Sequence, residues 1–140
     1  MLDRDDEVGD TLRCFGLSNG NELWQWDESL PDSASPVASD KYLILPTAFG
    51  VVTCLDTKTG KVFWEHEFDS GFCSSPILVR DRVYIIDLSG KMQIFELDKT
   101  FKQLGECDIG EPAYATPAFV GDKIYIRGLH HLFCVGQQAE

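Results

Sequence analysis

An all-β fold built from a repeated four-stranded unit is predicted by three observations. Residues of several types recur at one fixed spacing along the 140-residue chain. Glycine-containing turns separate short apolar runs, and no stretch sustains a helical period. Pro36, Pro76 and Pro117 lie 40 and 41 residues apart, and Asp40, Asp81 and Asp122 lie 41 apart. Cys14, Cys54, Ile94 and Cys134 are each separated by 40. A period held by prolines, aspartates and cysteines together is the mark of duplication.

The units follow in order. In residues 1–30, "MLDRD", "TLRCFGL" and "ELWQWDE" read as the second, third and fourth strands of a unit whose first strand is missing. Residues 31–70 hold a whole unit. "SPVAS" is its short inner strand, Asp40-Lys41 its first turn, "YLILP" its apolar second strand and "VVTCLD" its third. Gly60 closes the tight turn "TKTG", where positive φ costs glycine little. "KVFWEHEF" alternates as a half-exposed fourth strand should. Residues 71–111 repeat the pattern from "SPILVRDRVYII". Residues 112–140 give "TPAF", "KIYIRG" and "HLFCVG", then stop without a fourth strand.

Four antiparallel strands in a unit of ~40–45 residues form a β-propeller blade. The prediction is a partial propeller of about three and a half blades, whereas ring closure takes ~4–8. A chain opening in mid-blade is expected to be the C-terminal portion of a longer propeller. Such a segment exposes an apolar blade face and unpaired strand edges at each end. It is therefore expected to self-associate, or to be completed by the missing blades of a longer parent, and to offer surface to a protein partner.

Composition narrows the partners. Twelve basic against 23 acidic residues leave a net charge of −11, which repels phosphate backbones and argues against nucleic acid. No apolar run approaches the ~20 residues of a membrane-spanning helix. The first residues are acidic, unlike a secretory signal. The five cysteines, an odd number without a C-x-x-C pair, argue against a complete disulfide framework and a structural zinc site.

The segment "CLDTKTGKVFW" at 54–64, with the surrounding "SPVASDKY" pattern, resembles the PQQ-like β-propeller repeat. That family includes the propellers of quinoprotein alcohol dehydrogenases and of the outer-membrane assembly lipoprotein. Asp56, Gly60, Lys61 and Trp64 match its tryptophan-docking motif, A-x-D-x-x-x-G-K-x-x-W, with Cys54 in place of alanine. In the earlier copy Gly20 and Trp24 match, with Gly16 and Asn21 at the aspartate and lysine positions. The later copy, "IFELDKTFKQL", lacks the glycine and tryptophan, and Leu104 is read at the tryptophan position. The resemblance implies that Trp24 and Trp64 pack flat between blades, against the glycine turn of the next blade. It also suggests a bacterial periplasmic or secreted parent.

The residues point away from catalysis. The family's dehydrogenases use PQQ and calcium beside a base aspartate, a stacking tryptophan and a vicinal cysteine pair. No Cys-Cys occurs here, and Trp26 is the one tryptophan outside the docking positions. His130 and His131, if on a strand, point to opposite faces and do not share a metal. His66 reads as an exposed position. "DRDDEVGD" from Asp3 to Asp10 puts Val8, not glycine, at the sixth place of a calcium loop. Ser74, Ser75 and Asp69 lack a G-x-S-x-G elbow. Cys14, Cys54 and Cys134 share one repeat position and read as small buried residues, while Cys73 and Cys107 are less regular and more open to solvent. The sequence thus assigns no catalytic, cofactor-binding or metal-binding residue. It favours a non-enzymatic binding or scaffolding segment, with a fragment of a PQQ-dependent oxidoreductase as the alternative.

Overall fold

The computed structural model describes residues 10–137. Within them thirteen strands form four antiparallel sheets, and no helix occurs. The first sheet pairs β1 (Leu12–Phe15) with β2 (Glu22–Trp26). The second runs β3 (Val37–Ala38), β4 (Tyr42–Pro46), β5 (Val51–Asp56) and β6 (Val62–Glu67). The third runs β7 (Ile77–Val79), β8 (Arg82–Ile86), β9 (Lys91–Glu96) and β10 (Gln103–Asp108). The fourth holds β11 (Ala118–Val120), β12 (Lys123–Arg127) and β13 (Leu132–Gly136). Strands pair in chain order, so each sheet is a meander. The predicted strand at "MLDRD" and most of the calcium-like segment lie outside the described residues.

The core lies between sheets, not within any one of them. Ile44, Val52, Cys54 and Trp64 of the second sheet pack with Val83, Ile85 and Phe95 of the third. Ile86 and Met92, on the other face of the third sheet, pack with Ala113 and with Ile126 of the fourth. Period-two alternation explains the division: Ile85 turns back toward the preceding sheet and Ile86 forward to the next. Both faces of the middle sheets are buried, so β4 is apolar throughout and β5, β8 and β9 carry apolar residues on both faces. A single such sheet has nowhere to bury its second face, and neighbours supply the cover.

Register corrects one expectation. In the second sheet Cys54 faces Trp64 and Leu55 faces Val62, which leaves Phe63 in a bulge. In the third, Ile94 faces Gly105 and Phe95 faces Gln103, which leaves Leu104 in the bulge. The tryptophan position of this blade therefore belongs to Gly105, not Leu104. The cause is a longer turn. Asp56 N bonds Lys61 O in one sheet, whereas Glu96 N bonds Lys102 O in the next, one residue further on.

Candidate blade-docking site

The turn at 56–61 is built by its own backbone and one carboxylate. Asp56 N donates to Lys61 O and Gly60 N to Asp56 O, both at 2.8 Å. Asp56 Oδ1 accepts from Lys58 N at 2.8 Å and Thr59 N at 3.2 Å, an Asx-type turn. Gly60 sits at φ 69°, and an added Cβ there would lie 2.7 Å from Trp24 Cε3. Trp24, on β2 of the preceding sheet, thus lies directly on the glycine. Its Nε1 donates to Thr57 O at 2.9 Å. Lys61 contributes its carbonyl and leaves its side chain exposed.

Trp64 makes the equivalent approach one blade later. Its Nε1 donates to Asp98 O at 2.8 Å. The ring meets Phe95 and Phe101 edge-on, with centroids 5.7 Å and 5.1 Å away. The receiving turn is braced: Lys99 N donates to Asp98 Oδ1 at 2.7 Å and Tyr42 Oη donates at 3.1 Å. The Lys99 amide and then the Tyr42 hydroxyl hold the Asp98 carboxyl below the usual carboxylate range. His66, expected as an isolated exposed residue, is half-buried and stacks on Phe101 at 3.8 Å. That partner arrives from the next blade, so local alternation gave no sign of it.

A second fastener joins the inner strands. Ser35 N donates to Ser75 Oγ at 2.8 Å, and Ser75 N donates to Thr116 Oγ1 at 2.9 Å. The recurring hydroxyl before proline is thus a link from each blade's amide to the next blade's side chain. Ser74 Oγ is engaged with Ile86 O at 2.7 Å.

Among the described residues the joint of the third and fourth sheets has neither tryptophan nor docking glycine; beside it, Glu111 ties the chain entering the fourth blade to that blade's last turn. The carboxylate accepts His130 N at 2.9 Å and His131 N at 2.8 Å and meets His131 Nδ1 at 2.8 Å. Partial desolvation raises this carboxyl, but the His131 ring and the two amides outweigh it and bring it down to about 2. His130 and His131 lie in the turn before β13 with their ring centroids 6.5 Å apart. The sequence offered only the paired histidines as a signal; the acid 20 residues earlier carried none.

Between the second and third sheets lies a polar cleft of about 190 Å³, lined by residues that include His66, Asp69, Asp87, Lys91, Gln93 and Glu106. Asp87 is buried and engaged by Ser89 N, Ser89 Oγ, Lys91 N and Gln93 Nε2. A carboxylate so completely bonded shapes the turn. Cys54 is buried, and burial, followed by the charge of Asp98, pushes its thiol up to about 12. Cys14 is half-buried and Cys134 exposed, which corrects the expectation of one buried class; Cys134 faces away from the third sheet, where no described residue covers it.

No three His, Cys, Asp or Glu side chains among the described residues converge to hold a cation. Trp24 and Trp64 are committed to blade joints through their indole N–H groups, and the Trp26 indole nitrogen is itself buried.

Four sheets joined in series, with the outermost two open among the described residues, define an open β-propeller segment, its blades fastened through indoles and hydroxyls. The chain belongs to the PQQ-like repeat family described as outer membrane protein assembly factor BamB, whose model matches residues 8–128. It is 33% identical over 94 residues to outer membrane protein assembly factor BamB of Shewanella oneidensis, covering 64% of this chain and 24% of that protein. It is 38% identical over 74 residues to quinoprotein alcohol dehydrogenase PedE of Pseudomonas putida, covering 52% and 12%. In structure it is similar to BamB of Moraxella catarrhalis, with a TM-score of 0.70 at 18% identity over 91% of this chain and 40% of that one. The chain spans a quarter or less of the length of these curated relatives.

Proposed function

We propose that the chain is a non-enzymatic propeller segment that serves as a protein-binding and scaffolding module. One observation carries this reading. Apolar clusters fill the joints of the second with the third sheet and of the third with the fourth, while among the described residues each outermost sheet leaves large apolar side chains exposed. Phe15 is 48% and Leu23 59% exposed at one end, and Val120 is 64% and Leu132 69% exposed at the other. Open apolar faces of this kind are interaction surfaces. They are completed by further blades, from a second copy or a longer parent. The name of the matched family, an outer membrane protein assembly factor, supports this reading.

Sedimentation velocity tests the reading. Concentration-dependent self-association in the micromolar range is expected, and a monodisperse monomer throughout would count against it. The second reading, a portion of a quinoprotein oxidoreductase, draws on the identity to PedE. Under it, PQQ and calcium would be held mainly by residues outside this chain. Retention of quinone absorbance by the full-length parent after desalting from PQQ and calcium would favour the oxidoreductase, and no uptake would remove it.

A further inference from the structure

Arg80 holds a backbone conformation that the matching turn of the next blade gives to glycine. Val79 faces Arg82 across the turn Arg80-Asp81, and Val120 faces Lys123 across the turn Gly121-Asp122. The first turn residue has φ 59° in both, and it is arginine in one and glycine in the other. Glycine takes this conformation freely, whereas arginine is strained in it. Retained strain of this kind points to a task for the side chain.

The surroundings show what the task is. Val79, Arg80, Asp81, Arg82 and Tyr84 line a cavity of about 300 Å³. Both arginines are exposed, and among the described residues neither pairs with a carboxylate. Tyr84 meets Phe119 edge-on at 5.1 Å and gives the cavity a fixed aromatic wall. The first and last hairpin turns of a sheet share one end: Thr57 N donates to Lys41 O at 3.0 Å, and Leu97 N to Asp81 O at 2.7 Å. At this end residues 39–41, 57–61, 80–82, 97–102 and 121–123 hold eight basic residues, all exposed, against four acidic ones. The chain has 12 basic residues and a net charge of −11, so its cations are concentrated here.

We propose that this cavity binds an acidic segment of a partner protein, with carboxylates on Arg80 and Arg82 and an apolar side chain against Val79 and Tyr84. The inference deepens the protein-binding reading and rests on it. Charge complementarity defines the partner, because two free guanidinium groups grip carboxylates in forked pairs. An anionic lipid surface fits less well. Asp40, Asp81 and Asp122 stand exposed in successive blades, so a continuous phosphate layer would meet a carboxylate in each of them. A peptide need engage one turn alone.

The probe is the capped peptide EEFEE, titrated into the ¹⁵N-labelled full chain and read by amide shifts. Saturable, millimolar perturbation at Arg80, Asp81 and Arg82 is expected, suppressed by high salt and absent with KKFKK. EEGEE, which lacks the aromatic ring, should bind severalfold more weakly. Arg80→Gly separates function from structure: it should weaken EEFEE severalfold while holding or raising the urea midpoint, since the strain is relieved. Arg82→Ala, outside the strained position, should weaken the peptide to a similar degree. No perturbation at this turn, an equal one from KKFKK, or affinity unchanged in both variants would overturn the proposal. Flotation on phosphatidylglycerol vesicles without peptide binding would give the turn to a lipid surface, and overturn it also. Concentration-dependent self-association with no peptide shift would sink this site and leave the scaffolding reading standing, so the two can fail separately.

Discussion

Gly20 and Gly60 allow the packing of Trp24 to be weighed against an internal control. Each sits at φ 69° in a turn closed by the same bonds, and only Gly60 lies under an indole. Alanine at either site must adopt a left-handed conformation, which costs about 1–2 kcal/mol. At Gly60 the new methyl also meets the Trp24 ring at 2.7 Å. The indole must lift, which forfeits its bond to Thr57 O, worth about 1 kcal/mol. If the displacement uncovers roughly 50 Å² of apolar surface, a further ~1.2 kcal/mol is lost. Gly60→Ala should therefore destabilise by about 3–4 kcal/mol and Gly20→Ala by about 1–2 kcal/mol. Urea unfolding followed by far-ultraviolet circular dichroism gives both values, and tryptophan emission should shift to the red for Gly60→Ala alone. Repeating Gly60→Ala in a Trp24→Leu background should shrink its cost to that of Gly20→Ala. Equal losses for the two single variants, or an unchanged cost without Trp24, would refute the reasoning.

Further predictions concern acid and thiols. The Glu111 carboxyl is lowered from 4.5 to about 2. A depressed carboxyl stabilises the fold above its unfolded value, and this contribution fades as pH falls from 4.5 toward 2. Glu111→Gln should remove that part of the acid sensitivity, measured as the slope of the unfolding midpoint with pH over this window. Native thiol titration with a disulfide reagent at pH 8 should label the exposed Cys107 and Cys134 rapidly. Cys54, buried and with its thiol pushed up to about 12, should react only on unfolding. Rapid native labelling of Cys54 would contradict its place between the second and third sheets.

The repeat was legible because each blade spends the same residue types on the same tasks. Prolines, aspartates and glycines at one spacing announced a four-stranded unit, and an all-β open propeller is what the chain forms. Trp24 and Trp64 stood out as equivalent positions for the same reason. Sequence spacing failed where a turn changed length. The extra residue between Glu96 and Lys102 moved Gly105 into the place read for Leu104, and only strand pairing reveals it. It also failed where the partner comes from another blade. His66 on Phe101 and the serine hydroxyls each need two blades in position before either residue has a neighbour. Exposure of Cys134 was hidden likewise, because its position is buried only where another sheet follows.

The hydroxyl links between inner strands give the array a direction. Each amide points to the hydroxyl of the blade that follows, from Ser35 to Ser75 and from Ser75 to Thr116. The two ends are therefore unlike: one side carries the acceptor role and the other the donor role. A two-fold symmetric pair, with like face on like face, would set donor against donor and break the series. Blades extend it only when added in one sense, as in a heterologous contact. Such contacts form a ring when the rotation per blade closes and a growing filament when it does not.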